Sequence, residues 1–362
     1  MAERDGGPFR ALLDAPPRWV SDPGPLSGIV LSSRVRLARN LSGTPFPAQT
    51  APAQQRAVVR RVQTAAGHIP VLAGALYFDV EELEESDVEF LVERRLISRD
   101  LAAGDRARGV LVGSGESLTV MINEEDHLRL QGVVSGFRLG EALDRVIGVD
   151  DLLDAHLEYS YSPRLGYLTA CPTNVGTGMR ASVLVHLPAL HLTGESRKVM
   201  QGAAAMGLAV RGFYGEGSQM MGNFVQVSNH VTLGTSEDEI VRGLSEKVQK
   251  VIESEQRARD TLWSDARVQV EDKVYRAYGL LLHARSIKAA EVLNLTSAVR
   301  FGLAFDLPGL CSAEALGEVL LLSQPGHIMK MSKRLVTKEE RRSLRADFIR
   351  ARLAAEEVGG GV

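Results

Sequence analysis

Two strand-like patterns joined by a turn rich in proline and glycine constrain the fold more than any other part of the chain. The first pattern, residues 165–170, leads into a turn at residues 171–174, whose sequence is Cys-Pro-Thr-Asn. Gly176 and Gly178 follow, and after them comes a run rich in apolar and β-branched residues. Proline and glycine between two such patterns predict a strand–turn–strand unit. Irregular polar segments on a rigid scaffold often carry function, so this turn is the first candidate site.

The composition is that of an ordinary globular protein. A length of 362 residues is enough for a sizeable core and predicts two domains. Apolar residues make up 44% of the chain and charged residues 24%, as is usual for soluble proteins. The net charge of −3, from 42 basic and 45 acidic residues, gives no reason to expect nucleic acid or an anionic membrane as a partner.

Three features of the sequence predict a cytoplasmic location. The two cysteines, Cys171 and Cys311, are too few for a disulfide framework and fit a reducing compartment. The N-terminus lacks the apolar core of a signal peptide. No apolar run reaches the roughly 18 residues that a membrane-spanning helix needs. We therefore expect a soluble cytoplasmic protein.

The order of the predicted elements indicates an α+β fold with a largely antiparallel sheet flanked by helices. Strand patterns occur at residues 29–31, 117–123, 208–210 and 223–233, and helical patterns at residues 51–65, 81–101, 139–157, 195–207 and 236–260. From about residue 265 the pattern is mostly helical. We expect a lead-in (1–26), an α+β domain (27–260), an all-helical C-terminal domain (265–356) and a disordered tail (357–362).

Charged side chains lie at the ends of several predicted strands. Arg34 and Arg36 share one face of an extended segment, because side chains alternate every two residues. The acidic residues 124–126 follow a strand directly, and Arg129 comes three residues later. Glu216 lies between two glycines, where a loop would present its carboxylate. Taken alone, each feature also fits a solvated strand edge, a turn of acids or a plain hairpin.

Several common phosphate- and metal-binding motifs are absent from the sequence. There is no G-x-x-x-x-G-K-[ST] loop, no H-R-D or D-F-G set, and no H-E-x-x-H or C-x-x-C pattern. Any phosphate group must therefore be bound by side chains, and no metal-ligating residues are predicted. The histidines, including His127 and His186, lack metal-ligand spacing and are expected to shape strands.

Together, these blocks resemble the phosphagen (ATP:guanidino) kinases over roughly residues 27–257. The turn at residues 171–177 matches the family's C-P-[ST]-N-x-G-T signature, and five arginines match its nucleotide clamp in family order. Planar, permanently charged guanidinium groups bind phosphate oxygens bidentately and offset the charge of a transferring phosphoryl group. The resemblance implies ATP as the donor, with Mg²⁺ held mainly by the nucleotide. The implied ATP site comprises Ser32, Ser33, Arg34, Val35, Arg36, Arg129, Arg180, Ala181, Ser182, Val183, Leu184, Arg211, Gly212, Phe213, Tyr214, Gly215 and Glu216.

The same resemblance implies that Glu125, Glu216 and Cys171 are catalytic. A guanidinium is a poor nucleophile, since its lone pair is delocalised and it stays protonated up to a pKa above about 12. Two carboxylates can align its planar group, and one of them can accept a proton. We expect Glu125 to be the base and Glu216 to orient the acceptor. Cys171 matches the family's reactive cysteine, whose thiolate a bound guanidinium would favour; an inert turn cysteine is the alternative.

The domain order resembles the protein-arginine kinase branch of this family, which is bacterial. The family's kinases of small guanidines carry a helical domain before the block that starts here at Ser32, whereas this chain continues into a helical C-terminal domain. That resemblance implies phosphorylation of exposed arginines on proteins, which marks them for a Clp protease and relieves a heat-shock repressor. It also implies a homodimer formed by the C-terminal domain, and as partners a small zinc-binding activator protein and a Clp ATPase.

Two positions depart from the pattern of that branch. Arg341 and Arg345 match its phosphoarginine-sensing motif R-D-x-x-R-A, but Arg342 replaces the acid. Arg341 and Arg345 are four residues apart on a predicted helix, where they would either bind one phosphoryl group together or simply be solvated. Arg95 replaces a histidine that approaches the nucleotide in the family, and would be either a sixth cation or a surface residue.

Two alternative functions stay open. One is a kinase of a small guanidine, which the missing N-terminal domain disfavours. The other is a non-catalytic adaptor that binds phosphoarginine proteins or a repressor. The presence of Glu125, Glu216, Cys171 and all five arginines disfavours the adaptor, because pure binding does not need a base.

Overall fold

The computed structural model of the protein describes residues 8–212, 222–332, 334 and 336–359, with side chains up to residue 356. The strands in these ranges are β1 (Val30–Arg39), β2 (Leu76–Asp79), β3 (Gly109–Val112), β4 (Leu118–Ile122), β5 (Leu128–Ser135), β6 (Tyr161–Ser162), β7 (Gly166–Tyr167), β8 (Met179–His186), β9 (Leu208–Gly212) and β10 (Phe224–Asn229).

The helices in the same ranges fall into two groups along the chain. The first group is interspersed with the strands: α1 (Pro8–Leu13), α2 (Arg18–Ser21), α3 (Pro52–Gly67), α4 (Glu85–Glu93), α5 (Arg99–Ala103), α6 (Leu139–Leu157), α7 (Pro188–Leu192), α8 (Ser196–Ala205) and α9 (Glu237–Asp265). The second group follows them: α10 (Arg267–His283), α11 (Ala289–Leu303), α12 (Ala313–Leu322), α13 (Pro325–Ser332) and α14 (Lys338–Gly359).

Eight strands form one antiparallel sheet in the order β2-β3-β4-β5-β1-β8-β10-β9. β1 lies near its centre and pairs with β5 on one side and β8 on the other. β6 and β7 form a separate hairpin. This sheet, its flanking helices and the helical C-terminal part confirm the predicted α+β fold.

One face of the sheet is buried under helices. Val35 and Leu37 of β1 are fully buried and belong to a large apolar cluster with residues of α3, α6 and α9. Gly132 of β5 lets α6 lie very close, because a Cβ atom there would be 2.6 Å from the Val146 side chain. This packed layer fixes the strands, so the side chains on their opposite face have well-defined positions.

The opposite face is covered at one end by the C-terminal helices. Leu184 of β8 packs against Leu293 of α11 and Leu320 of α12. Trp19 of α2 packs against Val133 of β5 at the same end. The C-terminal part therefore borders the region of the sheet where the predicted arginines lie.

The sequence does not predict β2 and β3. Each has four residues, and they pair with each other, Leu76 lying opposite Val112. All four residues of β3 are buried, so this strand lacks the alternation of polar and apolar residues that signals a half-buried strand. The sheet consequently extends beyond the predicted strands on that side.

The helix predicted over residues 81–101 is wrong in one respect, because the structure divides it into α4 and α5. Arg95 has a φ angle of +64°, which is incompatible with a helix interior. Ser98 then starts α5, since its hydroxyl accepts a hydrogen bond from the Leu101 backbone N–H at 3.0 Å. The break places Arg95 on a short connection beside the sheet.

The strand predicted over residues 165–170 is confined to β7. The Leu168 backbone N–H donates instead to the Ser160 carbonyl at 3.0 Å, so the chain leaves the two-stranded hairpin after Tyr167 and continues irregularly into the Cys171 turn.

Residues 8–26 and 357–359 are more regular than the sequence predicts. The lead-in contains α1 and α2, in which Leu12 and Trp19 are buried. α14 continues through Gly359, so residues 357–359, predicted as part of a disordered tail, are helical. Within the described ranges, no helix combines the length and the apolar character needed to cross a membrane.

Candidate active site

The register of three adjacent strands places four arginines on the face opposite the main helical layer. Arg36 of β1 lies opposite Arg180 of β8. Ala38, two residues along β1, lies opposite Arg129 of β5. Arg34 is two residues before Arg36 and so points to the same side. The predicted grouping of these arginines follows directly from the strand pairing.

A fifth arginine joins this face from the edge of the sheet. Leu184 lies four residues after Arg180 on β8, so the two side chains share a face. Leu184 pairs with Gln226 of β10, and Gln226 pairs with Arg211 of β9. Arg211 therefore lies on the same face as Arg180. Arg180 is held in place by Ser228, whose hydroxyl accepts hydrogen bonds from its Nε at 3.4 Å and its guanidinium NH2 at 3.3 Å. We call Arg34, Arg36, Arg129, Arg180 and Arg211 the arginine cluster.

Positive charge is concentrated in the arginine cluster. Burial lowers the pKa of Arg34 well below its ordinary value, and the charges of Arg36 and Arg95 lower it further. Burial also lowers the pKa of Arg36 to about 9, with the charge of Arg129 as the next contribution. The Nε atoms of Arg34 and Arg36 are buried without a hydrogen-bond partner in the described part of the chain. These properties fit a binding site for a polyanion. Its negative charge would offset the repulsion between the arginines and would stabilise their charged forms, which burial disfavours.

Arg95 lies beside the cluster and is half-exposed, so its position fits a sixth cation that also reaches the surface. Its guanidinium carbon is 5.4 Å from the centroid of the Trp19 ring, within the range of a cation–π contact. Its charge acts on Arg34, and its carbonyl accepts a hydrogen bond from Gln131 at 2.7 Å. Arg95 also lines a cavity of about 410 Å³ next to the C-terminal helices.

The hairpin between β4 and β5 brings two carboxylates to the cluster. Glu124 is buried, forms an ion pair with Arg129 and accepts a hydrogen bond from the Ser98 hydroxyl. Glu125 has a side chain that is 42% exposed and lies 3.3 Å from Arg129. One carboxylate therefore offsets part of the cluster's charge, while the next is accessible to a ligand.

Glu125 has the electrostatic properties of a base. Burial raises its pKa, and the nearby carboxylates of Asp126 and Glu124 raise it further, against the opposing charge of Arg129. A raised pKa makes a carboxylate a better proton acceptor near neutral pH. The nearby thiol of Cys171 offsets part of this rise in the pKa of Glu125, so these two predicted catalytic residues lie close together.

The carboxylate of Asp126 joins the turn that carries Cys171 to the hairpin. Oδ1 of Asp126 accepts hydrogen bonds from the Ala170 backbone N–H at 2.6 Å and from the Asn40 side-chain amide at 2.6 Å. Cys171 Sγ is also 3.0 Å from Thr173 Oγ1. The end of β1, the hairpin and the turn are thus fixed relative to one another.

The other side of the turn rests on the segment after β10. The Thr232 hydroxyl donates to the carbonyls of Thr173 and Val175, at 2.9 and 2.8 Å. Gly176 has a φ angle of +112°, and a Cβ atom there would lie 2.2 Å from the Thr232 carbonyl oxygen. Only glycine fits such a close approach of two backbones, which explains this part of the predicted signature.

Several residues predicted to line the ATP site direct their side chains away from the cluster. The Ser33 hydroxyl donates to the Gly136 carbonyl at 2.8 Å. Val35, Ala181 and Val183 belong to the apolar layer on the other face. Only the main chain of these four predicted residues can contribute to the arginine face.

Other predicted residues are better placed on the arginine face. Ser182 lies opposite Arg34, and Ser32 lies opposite Leu184. Gly212 ends β9 directly after Arg211. Phe213, Tyr214, Gly215 and Glu216, including the predicted second carboxylate, lie outside the described residues.

The predicted phosphoarginine pair is only partly exposed. Arg345 is buried and donates hydrogen bonds to the carbonyls of Ser323 at 2.6 Å and Ile287 at 3.1 Å. Arg341 lies near it, since its charge lowers the pKa of Arg345 after burial, the larger cause. The two guanidinium groups are therefore neighbours, but Arg345 already binds protein carbonyls.

Sequence reasoning does not assign roles to Glu124, Asp126 and Asn40. The sequence does hold a hint of their importance, because the acidic residues 124–126 come shortly after a buried strand and Asn40 directly follows β1. Their long-range contacts, however, appear only in the folded chain. Within the part that the structure describes, no group of three or more His, Cys, Asp or Glu side chains is arranged to hold a metal ion.

Comparison with known proteins agrees with this geometry. The family model described as "ATP:guanido phosphotransferase, C-terminal catalytic domain" matches residues 57–258. The chain belongs to the ATP:guanido phosphotransferase family. A second model, "Protein-arginine kinase McsB C-terminal domain", matches residues 267–359. The predicted resemblance is confirmed, and the protein is a phosphotransferase of a family whose acceptors are guanidino groups.

Relatives within the ATP:guanido phosphotransferases match over nearly the whole chain. A protein-arginine kinase of Shouchella clausii is 41% identical over 349 residues, covering 96% of this chain and 98% of its own. One of Halothermothrix orenii is 42% identical, covering 92% of this chain and 96% of its own. These matches include the C-terminal helices.

Solved structures of this family match the catalytic part of the chain. A duplicated taurocyamine kinase from Schistosoma mansoni, with bound transition-state analogue components, has a TM-score of 0.60 and 26% identity, covering 67% of this chain and 35% of its own. A lombricine kinase has a TM-score of 0.58 and 27% identity, covering 64% of this chain and 67% of its own.

Proposed function

We propose that the protein transfers the γ-phosphoryl group of ATP to arginine side chains of other proteins. The observation that supports this proposal is that a site suited to a polyanion and a site suited to a guanidinium lie side by side. A cluster of half-buried guanidinium groups, suited to a polyanion, borders an accessible carboxylate and a thiol, Glu125 and Cys171, suited to a guanidinium. The names of the relatives support arginine in proteins as the acceptor.

The arginine cluster would hold the phosphate chain of ATP. Arg34 and Arg36 are half-buried and their charges are repelled by neighbouring cations, and Arg180 is fixed by Ser228. Because they sit on packed strands, they need little reorganisation to meet the charge that develops on the transferring group. Mg²⁺ would be held mainly by nucleotide oxygens and water, which offsets part of the phosphate charge.

Glu125 would accept a proton from the acceptor guanidinium as the reaction proceeds. A bond forms between an acceptor nitrogen and the γ-phosphorus, while the bond from that phosphorus to the β,γ-bridging oxygen of ATP breaks. The acceptor's proton goes to Glu125, and ADP leaves with the electron pair of the broken bond. Cys171, on the turn that Asp126 joins to the Glu125 hairpin, would help to align the planar acceptor, with Glu216 as a second carboxylate.

The cellular setting is also a proposal. ATP and a free thiol, Cys171, fit the cytoplasm. We further propose that phosphorylated proteins pass to a Clp ATPase and its protease, and that phosphorylation of a heat-shock repressor relieves repression. A small zinc-binding protein would activate the kinase, and the C-terminal helices would form a homodimer.

Phosphorus NMR after incubation with Mg-ATP tests the acceptor. We expect an acid-labile phosphoramidate signal with an arginine-rich protein, and little or none with free arginine or creatine. A signal confined to the free guanidines would replace the proposal with a small-guanidine kinase. If no acceptor gives a phosphoramidate signal, even after the activator is added, the protein would be a non-catalytic adaptor.

The variant Glu125→Gln tests the assigned base. We expect phosphoryl transfer to fall by roughly 10²–10⁴-fold, the range of general base catalysis, with ATP affinity nearly unchanged. Glu246→Gln, at an exposed position of α9, is the control and should keep the wild-type rate. A Glu125→Gln enzyme within threefold of the wild-type rate would refute the assignment.

A further inference from the structure

Four exposed apolar side chains lie around the turn that carries Cys171. Tyr161 and Leu165, on the hairpin of β6 and β7, are 59% and 42% exposed. Val231 and Leu233, after β10, are 59% and 52% exposed. We call these four side chains the apolar rim. Grouped apolar side chains on a surface commonly mark a place of interaction.

Backbone hydrogen bonds fix both halves of the rim to the turn. Tyr167, in the hairpin of the first two rim residues, exchanges hydrogen bonds with Gly176 at 2.8 and 3.4 Å. Thr232, which separates the other two rim residues, donates to the carbonyls of Thr173 and Val175. The hairpin and the segment after β10 therefore flank the turn, and their exposed side chains have a defined place next to it.

The rim also borders the proposed acceptor site. Within the turn, the backbone N–H of Ala170, directly before Cys171, donates to Asp126 at 2.6 Å, and Asp126 directly follows Glu125, the proposed base. An arginine that reaches Glu125 belongs to a polypeptide, so the residues before and after it must cross the surrounding surface. At about 3.3 Å per extended residue, two or three residues on each side span roughly 7–10 Å.

We propose that the apolar rim binds the polypeptide segment on either side of the acceptor arginine, so that the enzyme prefers arginines flanked by apolar side chains. This inference rests on the proposed function. Apolar flanking residues are mostly buried in folded proteins. The substrate class is therefore extended segments that expose apolar side chains next to an arginine, as unfolded chains do.

The test compares two peptides that differ only in the residues flanking one arginine, leucine and valine in one and serine in the other. The readout is the ratio of their kcat/KM values, in which the amount of active enzyme cancels. For the full-length wild-type enzyme we expect about a tenfold preference for the apolar peptide, at the low end of what apolar contacts provide. In the double variant Val231→Ser/Leu233→Ser, the ratio should fall below about threefold.

The control is Val71→Ser/Leu152→Ser, which removes two exposed apolar side chains, 57% and 46% exposed, outside the rim. It should keep the wild-type ratio. An equal ratio in wild type and rim variant overturns the proposal. A rim variant with an unchanged ratio but a smaller molecular mass in light scattering overturns it in favour of a contact between subunits. Phosphorylation of neither peptide would instead count against the proposed function itself.

Discussion

At the scale of single residues, Arg34 and Arg36 show how binding and stability oppose each other in this site. Both side chains are largely removed from water, and burial together with neighbouring cations lowers their pKa values. Like charges in a desolvated region raise the free energy of the folded state. The same charges bind phosphate oxygens strongly once a nucleotide is present. Residues selected for function commonly carry such a cost in stability.

This conflict predicts an unusual effect of Arg36→Met. Without nucleotide, the variant should be more stable than the wild type by at least about 1 kcal/mol in the free energy of unfolding, because a repelled cation is replaced by an apolar chain of similar length. Mg-ATP should raise the melting temperature of the wild type and not of the variant. Thermal unfolding with and without nucleotide measures both effects.

The control for this prediction is Arg56→Met, which removes an arginine that is 54% exposed and paired with Glu81. Its stability should stay within about 0.5 kcal/mol of the wild type, with the nucleotide effect intact. An Arg36→Met protein that is destabilised and still responds to Mg-ATP would contradict our view of the cluster.

At the scale of elements, the sequence predicts which residues form the site better than it predicts how they meet. The alternation of side chains along an extended segment is enough to place Arg34 and Arg36 on one face. Their pairing with Arg180 and Arg129 depends on strand register between distant segments, which local pattern does not encode. The break at Arg95 is equally hidden, because a positive φ angle at an arginine leaves no mark in the sequence.

Asp126 illustrates a positioning role that emerges only from the fold. Its carboxylate joins β1, the hairpin and the Cys171 turn. In Asp126→Ala, the Asn40 amide and the Ala170 N–H lose their acceptor, which should cost about 1–3 kcal/mol of stability. Because the arginines sit on packed strands, ATP affinity should change little, while kcat should fall at least tenfold as Glu125 and Cys171 lose their alignment.

The conservative variant Asp126→Asn separates positioning from general destabilisation. Its side-chain oxygen can still accept a hydrogen bond, so it should recover much of the lost kcat. Steady-state kinetics that resolve kcat from KM, with nucleotide binding measured separately, provide the comparison. An alanine variant with the wild-type kcat would show that the turn is fixed without this carboxylate.

At the scale of the whole molecule, a buried neutral histidine joins the sheet to the C-terminal helices. His186 of β8 lies 2.8 Å from the hydroxyl of Ser297 on α11 and packs on the ring of Phe224. Its pKa is well below the ordinary value because it is buried, with Arg300 and Arg259 adding to the effect. The sequence expectation that this histidine shapes a strand is consistent with these contacts, which extend to the helical part.

The pH dependence of stability follows from this lowered pKa. Below about pH 6.5, a histidine in the unfolded chain binds a proton, whereas His186 in the folded chain stays neutral. The unfolded state then holds more protons, so the contribution of His186 to stability is present above about pH 6.5 and is lost as the pH falls towards its folded pKa. The destabilisation caused by His186→Gln should therefore shrink by about 1.4 kcal/mol between about pH 7.5 and 5.5. Urea unfolding of wild type and variant at both pH values measures this difference.

The control is His191→Gln, at an exposed position of α7, which should show no such change. If the effect of His186→Gln is independent of pH, His186 takes up a proton in the folded chain as readily as in the unfolded chain, and a neutral junction between the sheet and the C-terminal helices would be ruled out.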